Sequence, residues 1–445
     1  MKTITLRILL CSTIVWATLN GSRAGESQQM EWKSKGGGSF QSPESWKGGK
    51  VPGPGNPAAI VVRGDCPISF EDNAQITKLH VSGTDDPLVT LDLNGHSLNI
   101  SSSVEKEGSF YLGPQQGGKP VECVIKNGTL SAQSASINFF ASDKAPLALL
   151  RIAENARFQF GTLTVGVVGL GEVSIEPGCQ VEDWRKIILG GAPGSNGVLR
   201  VRGTGALLQC AEDAKNLRKA LPAAAIHVGA SGSGLLEVTD GASARTGILN
   251  LGCTSRMAKD QPTEGTGHGK ALISGANTLV ATKETYIGGG KGRADAPAFP
   301  DGSGEMEISD RGKLEADVLR VMPKGRLKLD GGTAVVTGMP AAPPSPGVGA
   351  KLDAGSTVVV VLHPGMKSAP LHASSISLGG AKLQLELASG FAPAAGTSFP
   401  LISYDSREGE PFADLPEGST LMAGSTPLQI SYSASGINAR VKSAR

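Results

Sequence analysis

The chain has few aromatic residues, and its charges nearly cancel. Aromatics make up 4% of the 445 residues, and 42 Lys and Arg stand against 40 Asp and Glu, for a net charge of +2. Residues 1–24 contain three of these bases and no acid, so the rest of the chain carries +2 − 3 = −1. Such a balance leaves no positive surface for nucleic acid or anionic membrane. Nucleic acid is therefore excluded as an expected partner.

The chain also lacks an apolar stretch of membrane-spanning length. Lys2 and Arg7 precede a short, mostly apolar run from Ile8 to Leu19, and Ser22-Arg23-Ala24 forms a small-x-small cleavage site. This pattern predicts a secretory signal peptide over 1–24. No later stretch reaches about 18 apolar residues. We expect a secreted or cell-surface protein with no transmembrane segment in the mature chain.

The cysteines do not form a metal or disulfide framework. Five follow the predicted leader, 31 to 57 residues apart and without a C-x-x-C pair: Cys66, Cys123, Cys179, Cys210 and Cys253. This spacing excludes a zinc knuckle, and five cysteines in so long a chain are not a disulfide scaffold. One or two disulfides stay open in an oxidising compartment, and the odd number leaves at least one thiol unpaired within the chain.

Glycine is abundant, at 61 residues, about twice the usual share of roughly 7%. It belongs to a repeat of alternating apolar residues followed by a turn with Gly, Asn or Asp. Equivalent apolar positions are separated by steps of 26, 37, 35 and 35 residues: Ile175, Val201, Val238, Ile273 and Ile308. A second repeated element is a short apolar strand that ends in glycine: Ile187–Gly190, Ile226–Gly229, Leu249–Gly252 and Tyr286–Gly288.

These repeats predict an all-β fold. A short strand cannot bury its apolar face alone, but repeats of about 20 to 50 residues can stack so that each covers its neighbour. Gly, Asn and Asp accept the positive φ that the corners need. We predict a single parallel β-solenoid, or β-helix, with short strands and Gly-rich turns. A row of antiparallel β-sandwich domains is the alternative.

The repeats also suggest the organisation of the chain. We expect an N-terminal cap over 25–65, solenoid repeats over 66–398 and a C-terminal cap over 399–445. A gap in the repeat at 210–221 has helical spacing and ends before a proline, which predicts a short inserted helix. The Pro-rich stretch 340–350 predicts a loop. Large aromatic residues concentrate in the two predicted caps: Trp32, Trp46, Phe399, Tyr404, Phe412 and Tyr432.

The N-terminal segment resembles a known group of proteins. Trp32 is followed by GGGSFQSPESWKGGKVPGPGNPAAI from Gly36 to Ile60. This is similar to the G-x-W…W-x-x-G-x-x-P…D-x-A-x-I segment of the autotransporter-passenger-like β-helical proteins secreted by planctomycete-type bacteria. Phe40 replaces the first aromatic of that motif, and Asn56 stands where Asp is common.

Other segments extend the resemblance over most of the chain: Gly232–Gly241, Gly302–Asp310, Phe399–Tyr404, Phe412–Pro416 and Leu428–Tyr432. The resemblance implies a surface or extracellular repeat protein without established catalysis. The closing residues 438–445 carry no apolar sorting helix and no barrel follows them, so neither autotransport nor membrane sorting is expected.

Secreted β-helices also include enzymes that cleave polysaccharides, and acidic side chains would carry the chemistry of such an enzyme. A lyase or hydrolase needs two or three carboxylates within about 5 to 9.5 Å, and a calcium-dependent lyase also needs a nearby base. Acids at equivalent outward positions of stacked coils would be neighbours. The candidates interleave with bases: Glu176, Glu237, Glu307, Glu315, Arg200 and Lys328. Our interpretation is a solvated outer face.

Histidines and acids are densest between residues 72 and 96: Asp72, Asp85, Asp86, Asp92, His80 and His96. A metal site is one hypothesis for this region, but turn residues explain it better, because Asp85-Asp86-Pro87 is a turn signal. His227 is expected on an outer face rather than in a ligand set, and His268 has no partner at useful spacing. We assign no catalytic, cofactor or metal residue.

Two functions remain. The first is a non-catalytic structural, surface or adhesion protein, with cell-envelope or extracellular polysaccharide or other surface proteins as partners. The alternative is a β-helical polysaccharide lyase or glycoside hydrolase, which requires three or more acids around one Arg or Lys on one side of the solenoid.

Overall fold

The computed structural model describes most of the chain. It covers residues 28–101, 110–114, 119–139, 147–210, 224–253, 267–290, 302–338 and 349–443. Three predicted segments lie outside the described residues: the signal peptide, the helix at 210–221 apart from Cys210, which ends a strand, and the Pro-rich loop apart from its last two residues.

The fold is an all-β parallel solenoid, as the repeats predicted. A 3-10 turn at Pro43–Ser45 is the helical element of the described residues. Thirteen strands form one sheet, here called face 1, with parallel pairing throughout. They are β2 Gly38–Ser39, β4 Cys66–Ser69, β7 Leu88–Asp92, β10 Val121–Lys126, β12 Ala148–Ala153, β14 Leu170–Ile175, β16 Asn196–Arg202, β19 Ser233–Thr239, β21 His268–Ser274, β23 Ser303–Ser309, β25 Gly325–Asp330, β28 Thr357–Leu362 and β30 Lys382–Leu387.

A second sheet has 21 strands. They are β1 Met30–Glu31, β3 Pro57–Arg63, β5 Ala74–Ile76, β6 Lys78–Thr84, β8 Ser97–Ile100, β9 Phe110–Leu112, β11 Thr129–Ile137, β13 Arg157–Val165, β15 Gln180–Leu189, β17 Leu207–Cys210, β18 Ala225–Val228, β20 Ser243–Leu251, β22 Leu279–Ile287, β24 Lys313–Val321, β26 Thr333–Val336, β27 Ala350–Leu352, β29 Leu371–Ser377, β31 Ser398–Glu408, β32 Thr420–Ala423, β33 Thr426–Tyr432 and β34 Gly436–Val441.

In the long strands of the second sheet, the alternation of inward and outward side chains shifts by one residue near the middle. In β13, Phe158 and Phe160 point into the core before Gly161, and Leu163 and Val165 do so after it. Strict alternation would turn the second pair outward, so the strand bends at Gly161. The sheet is therefore two ladders. Face 2 holds β5, β8, β17, β26 and the first halves of the long strands, and face 3 holds β3, β6, β9, β18, β27 and the second halves.

Both sequence repeats are in register in the stack. Each residue of the first set pairs with the next on face 1: Ile175, Val201, Val238, Ile273 and Ile308. The second set does the same on face 3: Leu189, Val228, Leu251 and Ile287. Because these pairings are parallel, the alternative of antiparallel β-sandwich domains is wrong for this part of the chain.

The corner after face 3 depends on glycine. Gly190 has φ +68° and follows Leu189 directly. A Cβ atom at this position would lie 2.7 Å from the carbonyl carbon of Ser233 in the next coil, and closer still to its oxygen. Gly229, Gly252 and Gly288 occupy equivalent positions with positive φ. The repeat therefore ends in glycine because the backbones of consecutive coils pass too close for a side chain.

One apolar cluster runs through the solenoid from Trp32 to Val441. Its inward rows are stacked aliphatic and aromatic side chains, and the five described cysteines are buried in it or beside it as free thiols. No disulfide bond therefore joins any two of the five described cysteines.

The two ends of the stack carry aromatic clusters. At the N-terminus, the ring centroids of Trp46 lie 5.0 Å from Trp32 and 5.1 Å from Phe40. At the C-terminus, β31 pairs in parallel with β29 but antiparallel with β34, and the turned-back β32, β33 and β34 bury Phe399 and Tyr404. That these ends protect the stack stays a prediction.

Candidate functional site

The outer side of face 1 is a ladder of ion pairs between coils. Arg151 on β12 contacts Glu122 of the preceding coil at 3.0 Å and Glu176 of the following coil at 2.5 Å. These two hydrogen-bonded carboxylates raise the pKa of the Arg151 guanidinium. Each base of this kind is held between two acids, so the charges fasten three successive coils.

The same arrangement recurs two coils along the stack, on β16. Arg200 contacts Glu172 on one side and Glu237 at 3.2 Å on the other, and Arg202 reaches Glu237 at 2.6 Å. The Arg200 side chain is 22% exposed, so this ion pair is better shielded from water than most surface pairs. Glu237 is therefore held by two guanidinium groups of the same strand.

The C-terminal half of face 1 extends the ladder across β28. Arg326 bonds Gln384 at 3.1 Å and approaches Glu386 at 3.6 Å, both on β30, two strands away. Val359 on β28 lies between Arg326 and these two β30 residues, and it is fully buried although it points outward. The Arg326 side chain therefore bridges an apolar outer position as well as pairing charge.

The acids that the sequence offered as catalytic candidates form ion pairs of this kind instead of one reactive cluster. Glu307 contacts Lys328 at 3.2 Å, and Glu315, which lies on face 2, contacts Lys313 at 2.6 Å. Glu176 and Glu237 pair with Arg151 and Arg200, as described above. The interleaving of acids and bases was visible in the sequence, whereas the partner of each acid depends on the register.

The acid–histidine region between residues 72 and 96 is dispersed. Asp86 lies in a turn at φ +56° and contacts Lys119 at 3.0 Å, while Asp92 contacts Lys126 at 3.3 Å. His80 is on face 3, where burial lowers its pKa to about 4. Over the described part of the chain, no three His, Cys, Asp or Glu side chains come close enough to hold a metal ion.

A polar cluster on the outer side of face 3 was not anticipated. The Nδ1 atom of His227 lies 3.3 Å from the Cys253 sulfur and 3.2 Å from the Asn250 amide nitrogen. The β18–β20 register places His227 beside Asn250, because both precede the last apolar residue of the glycine-ending repeat. Cys253 directly follows that repeat, so aligning the two copies would have revealed the cluster.

The chemistry of this cluster is that of neutral groups. Desolvation lowers the pKa of His227 to about 3 and raises the pKa of the Cys253 thiol to about 12. Both neighbours of His227 meet the same ring nitrogen, so the ring cannot relay a proton from one to the other. The cluster therefore lacks the activated thiolate and the base that nucleophilic catalysis needs.

An apolar patch adjoins this cluster on the outer side of face 3. It contains Ala225, Ile248, Tyr286 and Met322, which are all buried. The Tyr286 hydroxyl donates to Glu284 at 2.6 Å, and burial, together with this bond, keeps the pKa of Tyr286 above its usual value. The outward side chains here are buried in the folded chain, so this part of face 3 is not an open ligand surface.

A shallow groove of about 350 Å³ lies where the last coils meet the C-terminal strands. Its lining includes Lys367, Ser403, Ser435 and Asn438 and no carboxylate. It can accept hydrogen bonds from a polar ligand or donate to one, but it offers no acid–base pair. His268, which the sequence left without a partner, contacts Ser303 at 2.6 Å on face 1, outside this groove.

Comparison with known proteins gives no further guide: no family model, no characterised protein and no solved structure matches the chain. Among the residues that the structure describes, no helix is long and apolar enough to cross a membrane.

Proposed function

We propose that this chain is a secreted, non-catalytic β-solenoid with a structural, surface or adhesion role. One observation carries the proposal. The outward acids of face 1 are paired with bases of neighbouring coils, as Glu172 and Glu237 are with Arg200. These side chains therefore stabilise the stack, and a stack of this kind offers an extended side for contacts.

The ion-pair ladder also weighs against the alternative function. A retaining or inverting hydrolase needs one carboxyl that holds a proton and a second that acts as nucleophile or base. On face 1, Arg200 lies between Glu172 and Glu237, so both carboxylates are already held in ion pairs. A lyase of the expected kind needs three acids around one base, whereas Arg151, Arg200 and Lys328 each contact two within the described residues.

The compartment belongs to the same proposal. The charged and apolar residues of 1–24 and the resemblance to secreted passenger-like β-helices support export. We propose cell-envelope or extracellular polysaccharide, or another surface protein, as the partner.

The test is a turnover and retention experiment with the purified mature chain. Anionic and neutral polysaccharides are incubated with the protein, and new reducing ends and unsaturated products are measured. We expect no turnover, together with co-sedimentation with at least one insoluble envelope or matrix polysaccharide or with whole cells. Turnover that disappears in Glu237→Gln but persists in the exposed control Glu31→Gln would establish the enzyme instead.

A further inference from the structure

Strand β15 carries an irregularity at the corner between faces 2 and 3. Its register against β13 shifts between Phe160 and Thr162, so that two residues of β15 stand opposite one residue of β13. Asp183 is the last residue before this bulge, and it points into the core with 2% of its surface exposed. A carboxyl group therefore occupies an inward position that Phe160 fills in the preceding coil.

The carboxyl is only half satisfied. Its Oδ1 atom accepts the backbone N–H groups of Arg185 at 2.6 Å and Lys186 at 3.0 Å, which closes the bulge. Its Oδ2 atom is buried and accepts no hydrogen bond from a backbone N–H group. Cys210, the last residue of β17, is in register with Asp183, and its thiol lies beside the carboxyl. A buried oxygen in this position needs a proton or another partner.

The surroundings offer little compensation for a negative charge. On β15 itself, Arg185 is exposed and Lys186 is partly exposed, so both cations are solvated. On β13 the neighbour is Phe160, and on β17 it is the neutral thiol of Cys210. Across the core, β14 and β16 direct apolar side chains inward: Val173, Ile175, Leu199 and Val201.

The two titratable groups both resist ionisation. Desolvation raises the pKa of Asp183 to about 7, although the two backbone N–H groups act in the opposite direction. Desolvation and the neighbouring Asp183 carboxyl raise the pKa of the Cys210 thiol well above its usual value.

We propose that Asp183 and Cys210 form a proton-controlled lock that closes the solenoid at the β15–β17 corner. With a proton on Asp183, the pair is neutral and the corner is closed. Loss of the proton leaves a buried charge that, among the described residues, two peptide N–H groups and the thiol face at close range, and the corner then opens more often. The lock is a conformational device of the scaffold, and it does not depend on the function proposed above.

The sign of the pH dependence follows from the two states of Asp183. In the open corner, its carboxyl meets water and has an ordinary pKa near 4. Between that value and about 7, the closed corner holds a proton that the open corner releases, so opening becomes about tenfold more frequent with each pH unit. Above about 7 both states are ionised and the frequency levels off. The total change is at most roughly a thousandfold.

Thiol labelling measures this opening directly. The purified full-length mature chain is alkylated under native conditions between pH 5 and 8.5, and labelling of Cys210 and Cys123 is followed by peptide mass spectrometry. Cys123 is a fully buried thiol on β10. Any thiol reacts faster at higher pH once it is exposed, so dividing by the Cys123 rate removes this intrinsic pH dependence. We expect the ratio of Cys210 to Cys123 labelling to rise about tenfold per unit up to about pH 7 and then to level off.

The isosteric variant Asp183→Asn supplies the decisive comparison, because its amide keeps the Oδ1 acceptor and cannot ionise. Its ratio should stay flat over the whole pH range. A flat ratio in the unaltered chain, or an equal rise in Asp183→Asn, would overturn the proposal. Should the variant fail to fold, hydrogen exchange of the unaltered chain decides the matter: after correction for intrinsic rates, residues 183–189 should open more with pH while residues 313–321 should not.

Discussion

The glycine that ends each face 3 strand gives a sharp test of the stacking geometry. We predict that Gly190→Ala destabilises the solenoid far more than its backbone conformation alone requires. Two costs combine at this position. The residue sits at φ +68°, where an L side chain costs roughly 1–2 kcal/mol. An added Cβ would also meet the backbone of Ser233, 2.7 Å from its carbonyl carbon, and backbone cannot rotate out of the way.

Gly365 is the matched control. It has nearly the same conformation, at φ +71°, but a Cβ there would find no atom within 4 Å. Gly365→Ala should therefore show the conformational cost alone, roughly 1–2 kcal/mol. Gly190→Ala should cost more than about 4 kcal/mol, because β16 and β19 would have to move apart to make room.

The assay is denaturant unfolding of both variants and the parent, followed by circular dichroism. Hydrogen exchange of the strands on either side of residue 190 is measured in parallel, because a stack of repeats can lose structure locally before it unfolds as a whole. A Gly190→Ala protein within about 1 kcal/mol of Gly365→Ala would refute the close approach of consecutive coils at this corner.

Three further predictions follow from the ladder, the ends and the outer cluster. Replacing Arg200 by Met should lower the free energy of unfolding by about 1–2 kcal/mol, because the partly buried Glu172 loses its ion-pair partner while Glu237 keeps Arg202. Lys47→Met, in a pair that is 64% exposed on the lysine side, should change it by less than about 0.5 kcal/mol. A chain cut before Phe399 should aggregate or fray from its last coil, and a monomeric 25–398 fragment with an unchanged melting curve would remove the capping function. Since burial lowers the pKa of His227 to about 3, the stability that this residue contributes should be complete above about pH 6.5 and fall by roughly 1.4 kcal/mol per unit below it; His227→Gln should abolish that dependence in denaturation curves from pH 4 to 7.

The sequence best predicted those features of the fold that the repeat alone determines. Parallel stacking places equivalent positions side by side, so the steps that separate Ile175, Val201 and Val238 predicted their pairing although the connections differ in length. The turn residues were also readable, since Asn127 and Asp240 adopt the positive φ that their type tolerates. The fold class follows from these two local rules.

Other features depend on geometry that alternation does not encode. The phase change at Gly161 splits one long strand into two faces, whereas a period of two treats such a stretch as a single strand. The contact between His227 and Cys253 spans two coils and appears after the register is known. No motif marks Asp183, because an acid beside Glu182 looks like an ordinary outward charge until the register pairs it with the inward Phe160.

Buried acids and buried histidines act on stability in opposite directions. Asp183 favours the folded state when it holds a proton, so its contribution falls by about 1.4 kcal/mol per unit as the pH rises from about 4 to 7. His227 and His80 favour the folded state when they are neutral, so the contribution of each rises by a similar amount per unit up to about pH 6.5, from about 3 for His227 and about 4 for His80. Asp183 cancels one of the two histidine slopes, so the stability of the unaltered chain should rise by roughly 1.4 kcal/mol per unit between about pH 4 and 6.5. His227→Gln should leave a flat profile over that range, because the slopes of His80 and Asp183 then cancel.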